Sequence, residues 1–107
     1  MPKTLQAVSL SYSYTYYQDP GHGWLMVPRK ELFDLGIAGE ISQCSYQRNG
    51  YVYLEEDEDL AKFIRAIDEH PSLDVSQVEV DEVYQERTPI RRMQRFTLTA
   101  AEKERIA

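Results

Sequence analysis

Asn49-Gly50 limits what this chain can become more than any other pair in it. It lies between two runs of strand-forming residues, Ile41 to Gln47 and Tyr51 to Glu55. Both residues tolerate positive φ, which a two-residue hairpin needs at its two central positions. The sequence therefore predicts an antiparallel pair. With Asn49 and Gly50 as the turn, Arg48 faces Tyr51 and Tyr46 faces Tyr53.

Other segments follow from periodicity. Val8, Leu10, Tyr12, Tyr14 and Tyr16 alternate with Ser9, Ser11, Ser13 and Thr15, so residues 5 to 17 are expected to form a strand with one buried face. Gln18 to Gly23 holds two Gly, a Pro and an Asp and reads as a loop, and Trp24 to Val27 as a short strand. Pro28 before Arg29 and Gly36 after Leu35 bracket a two-turn helix whose apolar side is Leu32, Phe33 and Leu35. Leu60, Phe63, Ile64 and Ile67 repeat at helical spacing, with Asp57 as the expected cap and Pro71 as the stop. Val78, Val80 and Tyr84 predict a strand over residues 75 to 84, broken by Thr88-Pro89. Thr99 to Glu102 matches a capping box, from which a short, fraying helix can start. The expected architecture is α+β: a small single domain over residues 1–96, with two helices on one face of a largely antiparallel sheet (β-β-α-β-β-α-β), and a tail over 97–107.

At 107 residues there is room for one domain. No apolar run reaches the roughly 18 residues of a membrane span, and the N-terminus has no apolar signal region, so a cytoplasmic protein is expected. A lone Cys44 makes no internal disulfide, and with His22 and His70 it gives no zinc spacing. No cofactor is expected. The net charge of -6 is unevenly spread: residues 1–54 are neutral, 55–86 carry twelve acids against Lys62 and Arg65, and 87–107 carry a net +4. Such polarity acts on partner choice and association rate.

Four groups of residues compete for a functional role. The tyrosines Tyr12, Tyr14, Tyr16, Tyr17, Tyr46, Tyr51 and Tyr53 are a base-stacking platform or, because Val8 and Leu10 share the face of the first strand, simply its core. Asp19 stands three residues before His22, which has a glycine on either side and Trp24 close by. An imidazole oriented by Asp19 suits acid-base work. No nucleophile adjoins it in sequence, so a tight turn with His22 and Trp24 packed on the sheet is expected, and a small enzyme centred on His22 is an alternative. Glu55, Glu56, Asp57, Glu58 and Asp59 lack the ligand spacing and central Gly of a calcium loop, so a solvated helix N-terminus without a metal is expected. With Asp81 and Glu82 the same block forms an acidic surface able to stand in for nucleic-acid phosphates. Arg91, Arg92 and Arg95, with Arg87, form the basic cluster, suited to phosphate or to the acidic block of the same chain or of a two-fold mate.

The motifs Gly21-His22-Gly23-Trp24-Leu25-Met26-Val27-Pro28, Leu35-Gly36-Ile37, Ser45-Tyr46-Gln47, Tyr53-Leu54-Glu55-Glu56-Asp57 and Ile90-Arg91 give the chain a further character. Over about residues 10 to 96 it resembles small uncharacterised proteins of bacteriophages and other mobile elements. That resemblance transfers no catalytic residue, and the tail after Phe96 is longer than usual for the family. Small acidic proteins of mobile elements include anti-CRISPR and antirestriction inhibitors of host defence; with the polarised charge and the absence of a catalytic set, the expectation is a non-enzymatic factor that binds a host protein, one that handles nucleic acid, through the acidic surface. A homodimer is expected, no membrane is, and direct nucleic-acid binding through the arginines and tyrosines ranks below protein binding.

Overall fold

The computed structural model describes residues 8–107. Asn49 and Gly50 take φ of 51° and 82° and join strands β3 (Tyr46–Arg48) and β4 (Tyr51–Glu55) in the expected register, Tyr46 opposite Tyr53 and Arg48 opposite Tyr51. Around this hairpin lie β1 (Ser13–Gln18), β2 (Gly23–Pro28), α1 (Arg29–Asp34), α2 (Leu60–Glu69), β5 (Glu79–Tyr84), β6 (Gln94–Arg95) and α3 (Ala100–Ile106). The six strands form one sheet in the order β5-β1-β2-β4-β3-β6, antiparallel except where β5 runs parallel to β1. The fold is α+β. Because β2 is antiparallel to both β1 and β4, β4 and β5 point the same way, and α2 serves as the crossover between them.

Each face of the sheet packs separately. On one face Tyr14, Leu25, Val27, Val52 and Leu54 meet Leu32 of α1 and Phe63 and Ile67 of α2, and the Tyr14 and Phe63 rings are edge-on at 5.3 Å. On the other, Trp24, Tyr46 and Tyr53 are covered by Ile90 of a 3-10 turn, Pro89–Arg92. Tyr14 donates to Glu31 Oε1 at 2.6 Å, so its hydroxyl is satisfied although buried. Residues 97–107 pack back on the domain. Arg29 of α1 forks onto Glu102 at 2.7 and 2.8 Å, and Arg105 lies over the Phe33 ring at 4.7 Å. Thr99 and Glu102 complete both halves of the capping box.

Several boundaries differ from the sequence reading: the strand-forming run from Ile41 enters the ladder only at Tyr46, and β6 adds a strand that the pattern did not announce. The strand expected over 5 to 17 begins at Ser13, because Tyr12 adopts φ of 61°, which no strand accommodates; residues 5 to 7 lie outside the described residues. Helix α2 starts after Asp59, and Asp57 does not cap it, because residues 56–59 form a turn in which the Asp59 N–H donates to the Glu55 carbonyl ahead of the helix. The strand expected over 75 to 84 opens with a 3-10 turn, Val75–Gln77, which Asp74 caps by accepting from Ser76. Its alternation marks no buried face either: β5 is the edge strand, with Val80 and Tyr84 exposed.

Candidate functional site

The loop between β1 and β2 meets the end of β4, because β2 places Trp24 opposite Glu55. In that loop the Asp19 Oδ1 accepts from the backbone N–H of Gly21 and His22, both at 2.8 Å. Arg91 forks onto the same carboxylate from across the chain. Its guanidinium, chiefly, holds the Asp19 carboxyl well below the usual carboxylate range. His22 is thus exposed on a loop whose backbone is fixed.

Gly23 is where a side chain cannot be accommodated. A Cβ there would run into the Tyr16 hydroxyl, which donates to Glu56 Oε2 at 2.6 Å. Burial, reinforced by Glu56, raises the Tyr16 phenol above its ordinary range and keeps it a donor. Gly23→Ala is expected to cost about 1–3 kcal/mol, as overpacking does, and to free Glu56 from its tether. A thermal melt unchanged from wild type would contradict this.

A cleft of about 320 Å³ opens beside the loop. His22, Trp24, Cys44 and Tyr46 line it together with Glu55, Asp57, Glu58, Arg91 and Arg95. Seven residues singled out from sequence therefore come to one place: His22, Trp24, Glu55, Asp57, Glu58, Arg91 and Arg95. Glu56 lies beside them, within the cluster that also holds His22, Glu55 and Asp57. Arg95 sits over the Tyr46 ring at 4.6 Å and donates to the Gln43 carbonyl, and Arg91 sits over Trp24 at 5.3 Å. The basic segment thus folds against its own chain. Trp24 is buried, and its indole N–H has no acceptor among the described residues.

Other residues go elsewhere. Asp81 and Glu82 lie on β5, at the far edge of the sheet, and Arg92 is exposed outside the cleft. The acidic run is not a uniformly solvated helix start, because Glu55 and Asp59 are buried. Asp59, fully enclosed, accepts from the Ser42 N–H at 3.0 Å, the Ser42 hydroxyl at 2.7 Å and the Ser45 hydroxyl, and it pairs with Lys62 at 3.0 Å. It is an internal fastener between α2 and the segment before β3, so it contributes nothing to a docking surface. Tyr46 and Tyr53 are buried, which withdraws their faces from base stacking; Tyr51 and Tyr84 are the exposed tyrosines among the described residues.

Protein-family models, curated proteins and solved structures offer no match to this chain. The site has to be read from its own geometry.

Sequence reasoning left open whether Cys44 lies near His22 and missed the meeting of His22 with the acids of residues 55–57. It treated each run alone. The signal that would have joined them is the pairing of β2 with β4, two strands separated by a helix and a third strand in the sequence. No helix among the described residues is long and apolar enough to cross a membrane.

Proposed function

We propose that this chain is a non-enzymatic binding factor of a bacteriophage or mobile element. In this reading its acidic face occupies a basic, nucleic-acid-handling surface on a host protein, as an inhibitor of a defence system would. One observation carries the reading. Of the twelve acids between residues 55 and 86, only Glu55 and Asp59 face an imidazole or ammonium group among the described residues. Of the arginines of the basic segment, Arg91 is engaged on Asp19 and Arg95 on Tyr46 and the Gln43 carbonyl, so neither neutralises the rest. The charge polarity seen in the sequence therefore survives folding.

β5 concentrates that charge. Glu79, Asp81 and Glu82 are exposed on an edge strand whose outer side has no neighbour among the described residues, and Val80 and Tyr84, 45% and 61% exposed, supply apolar anchors beside them. Charges so placed set association rate and selectivity more than final affinity.

The test is capture from a bacterial lysate with the immobilised full chain, beside a Glu79→Lys, Asp81→Lys, Glu82→Lys variant. The wild type should retain a nucleic-acid-handling protein that duplex DNA or RNA displaces. Association measured with that protein should slow steeply as salt rises, and the variant should lose it. Retention by the variant, or binding indifferent to salt, would overturn the reading. A shift of free DNA or RNA by the chain alone at micromolar concentration would move the function to direct nucleic-acid binding.

A further inference from the structure

We propose that His22, Glu55, Glu56 and Asp57 form a binding site for a first-row divalent cation of the Mn²⁺ or Zn²⁺ type. Each offers one ligand atom, and the four atoms lie within 4.8 Å of one another. Points that close share a centre about 3 Å or less from each, against bonds of about 2.0–2.2 Å to a first-row metal. Side-chain adjustments of about 1 Å close the shell.

Glu55 is the observation that points to a ligand. Its side chain is 9% exposed, and its two oxygens are treated differently. Oε2 accepts from the backbone N–H groups of Asp57 and Glu58 at 2.9 and 2.8 Å. Oε1 accepts no hydrogen bond from the described residues and faces His22 Nδ1 at 3.5 Å. On a side chain this enclosed, an oxygen with no protein donor keeps its charge with little water around it, which is costly. A cation between it and the imidazole removes that cost.

The other members are arranged for the same task. Tyr16 holds Glu56 by Oε2 and leaves Oε1 open. Asp57 is exposed and engages no other described side chain. His22 is carried on the loop that Asp19 and Arg91 fix, so its position is set before any ligand arrives. Three carboxylates this close repel one another, and the two arginines of the cleft are directed to Asp19 and to Tyr46 instead. One imidazole among carboxylates favours Mn²⁺ or Zn²⁺ over Mg²⁺ and Ca²⁺, which select oxygen alone. Cys44 lines the same cleft but is not one of the four.

Calorimetric titration of the chelator-treated full chain with MnCl₂, ZnCl₂ and MgCl₂, read beside thermal melts, tests this. Saturable binding of one Mn²⁺ or Zn²⁺ per chain is expected, with a melt raised by the same metal and a weaker response to Mg²⁺. His22→Ala and Asp57→Asn alter exposed side chains, so their metal-free melts should match wild type while affinity falls about tenfold or more. Asp68→Asn with Glu69→Gln, on the exposed end of α2, should leave affinity unchanged. Three results overturn the proposal: no saturable binding at submillimolar metal, equal affinity in His22→Ala, or loss of affinity in the α2 variant, which would mean diffuse attraction to the acidic surface.

Discussion

Asp59→Ala should lower the unfolding free energy by about 3–5 kcal/mol, the scale of breaking a buried charged network by removing one partner. At about 4–8 °C per kcal/mol for a domain of this size, the melt should fall by more than ~10 °C. The carboxylate is fully enclosed, and its removal strands the hydroxyls of Ser42 and Ser45 and takes one of its two partners from Lys62, which keeps the Glu40 carbonyl. Burial alone would raise its pKa. The donors from Ser45, Ser42 and Lys62 outweigh burial and hold it below the usual value. A carboxyl depressed in the folded state stabilises above its unfolded pKa, near 4, and that contribution drains away as pH falls through the folded value. Wild type and Asp59→Ala should therefore differ most above about pH 5 and converge in acid. Melts of the two proteins across that range check this, and a gap that widens in acid would refute it.

Phe63→Ala is expected to cost about 3–5 kcal/mol, as deletion of a buried aromatic does. Phe63 is completely buried where α2 crosses the sheet and abuts the Tyr14 ring edge-on. The surrounding strands cannot close the cavity, because Val27, Val52 and Leu54 lie on β2 and β4, which have a neighbouring strand on each side. Urea unfolding should show a lower midpoint with the slope preserved. A midpoint within experimental error of wild type would mean that the core relaxes into the space.

These residues also show how far the sequence could be read. Leu60, Phe63, Ile64 and Ile67 announce α2 by spacing alone, and Asn49-Gly50 announces the hairpin and its register, because both signals are local. Thr99 and Glu102 are legible for the same reason. What stayed hidden depends on contacts distant in sequence. Nothing near Asp59 says that Ser42 and Ser45 will enclose it, so it looked like one more surface acid. The break at Tyr12 interrupts a perfect alternation, since the backbone there takes a left-handed conformation while the hydroxyl reaches the Asp74 N–H at 3.3 Å. The exposed face of β5 had the alternation of a half-buried strand, yet at the edge of the sheet Val80 stays exposed. At the cleft, His22 and the acidic run were each visible, and their meeting was not.

The parallel pairing of β5 with β1 has a consequence for how the fold opens. Ser13 pairs with Glu79, so this union closes most of the chain's length, and among the described residues β5 has no second neighbour to share its hydrogen bonds. The antiparallel β1-β2-β4-β3 unit can remain intact while β5 detaches, which makes β5 a separate, weakly protected foldon. Its amides should exchange with deuterium ahead of those in β2 and β4, whose bonds are released only on global unfolding. The strand that carries Glu79, Asp81 and Glu82 is thus less costly to release than the central strands, and a protein that captures it as an extended segment works against a smaller opening energy than β2 or β4 would demand.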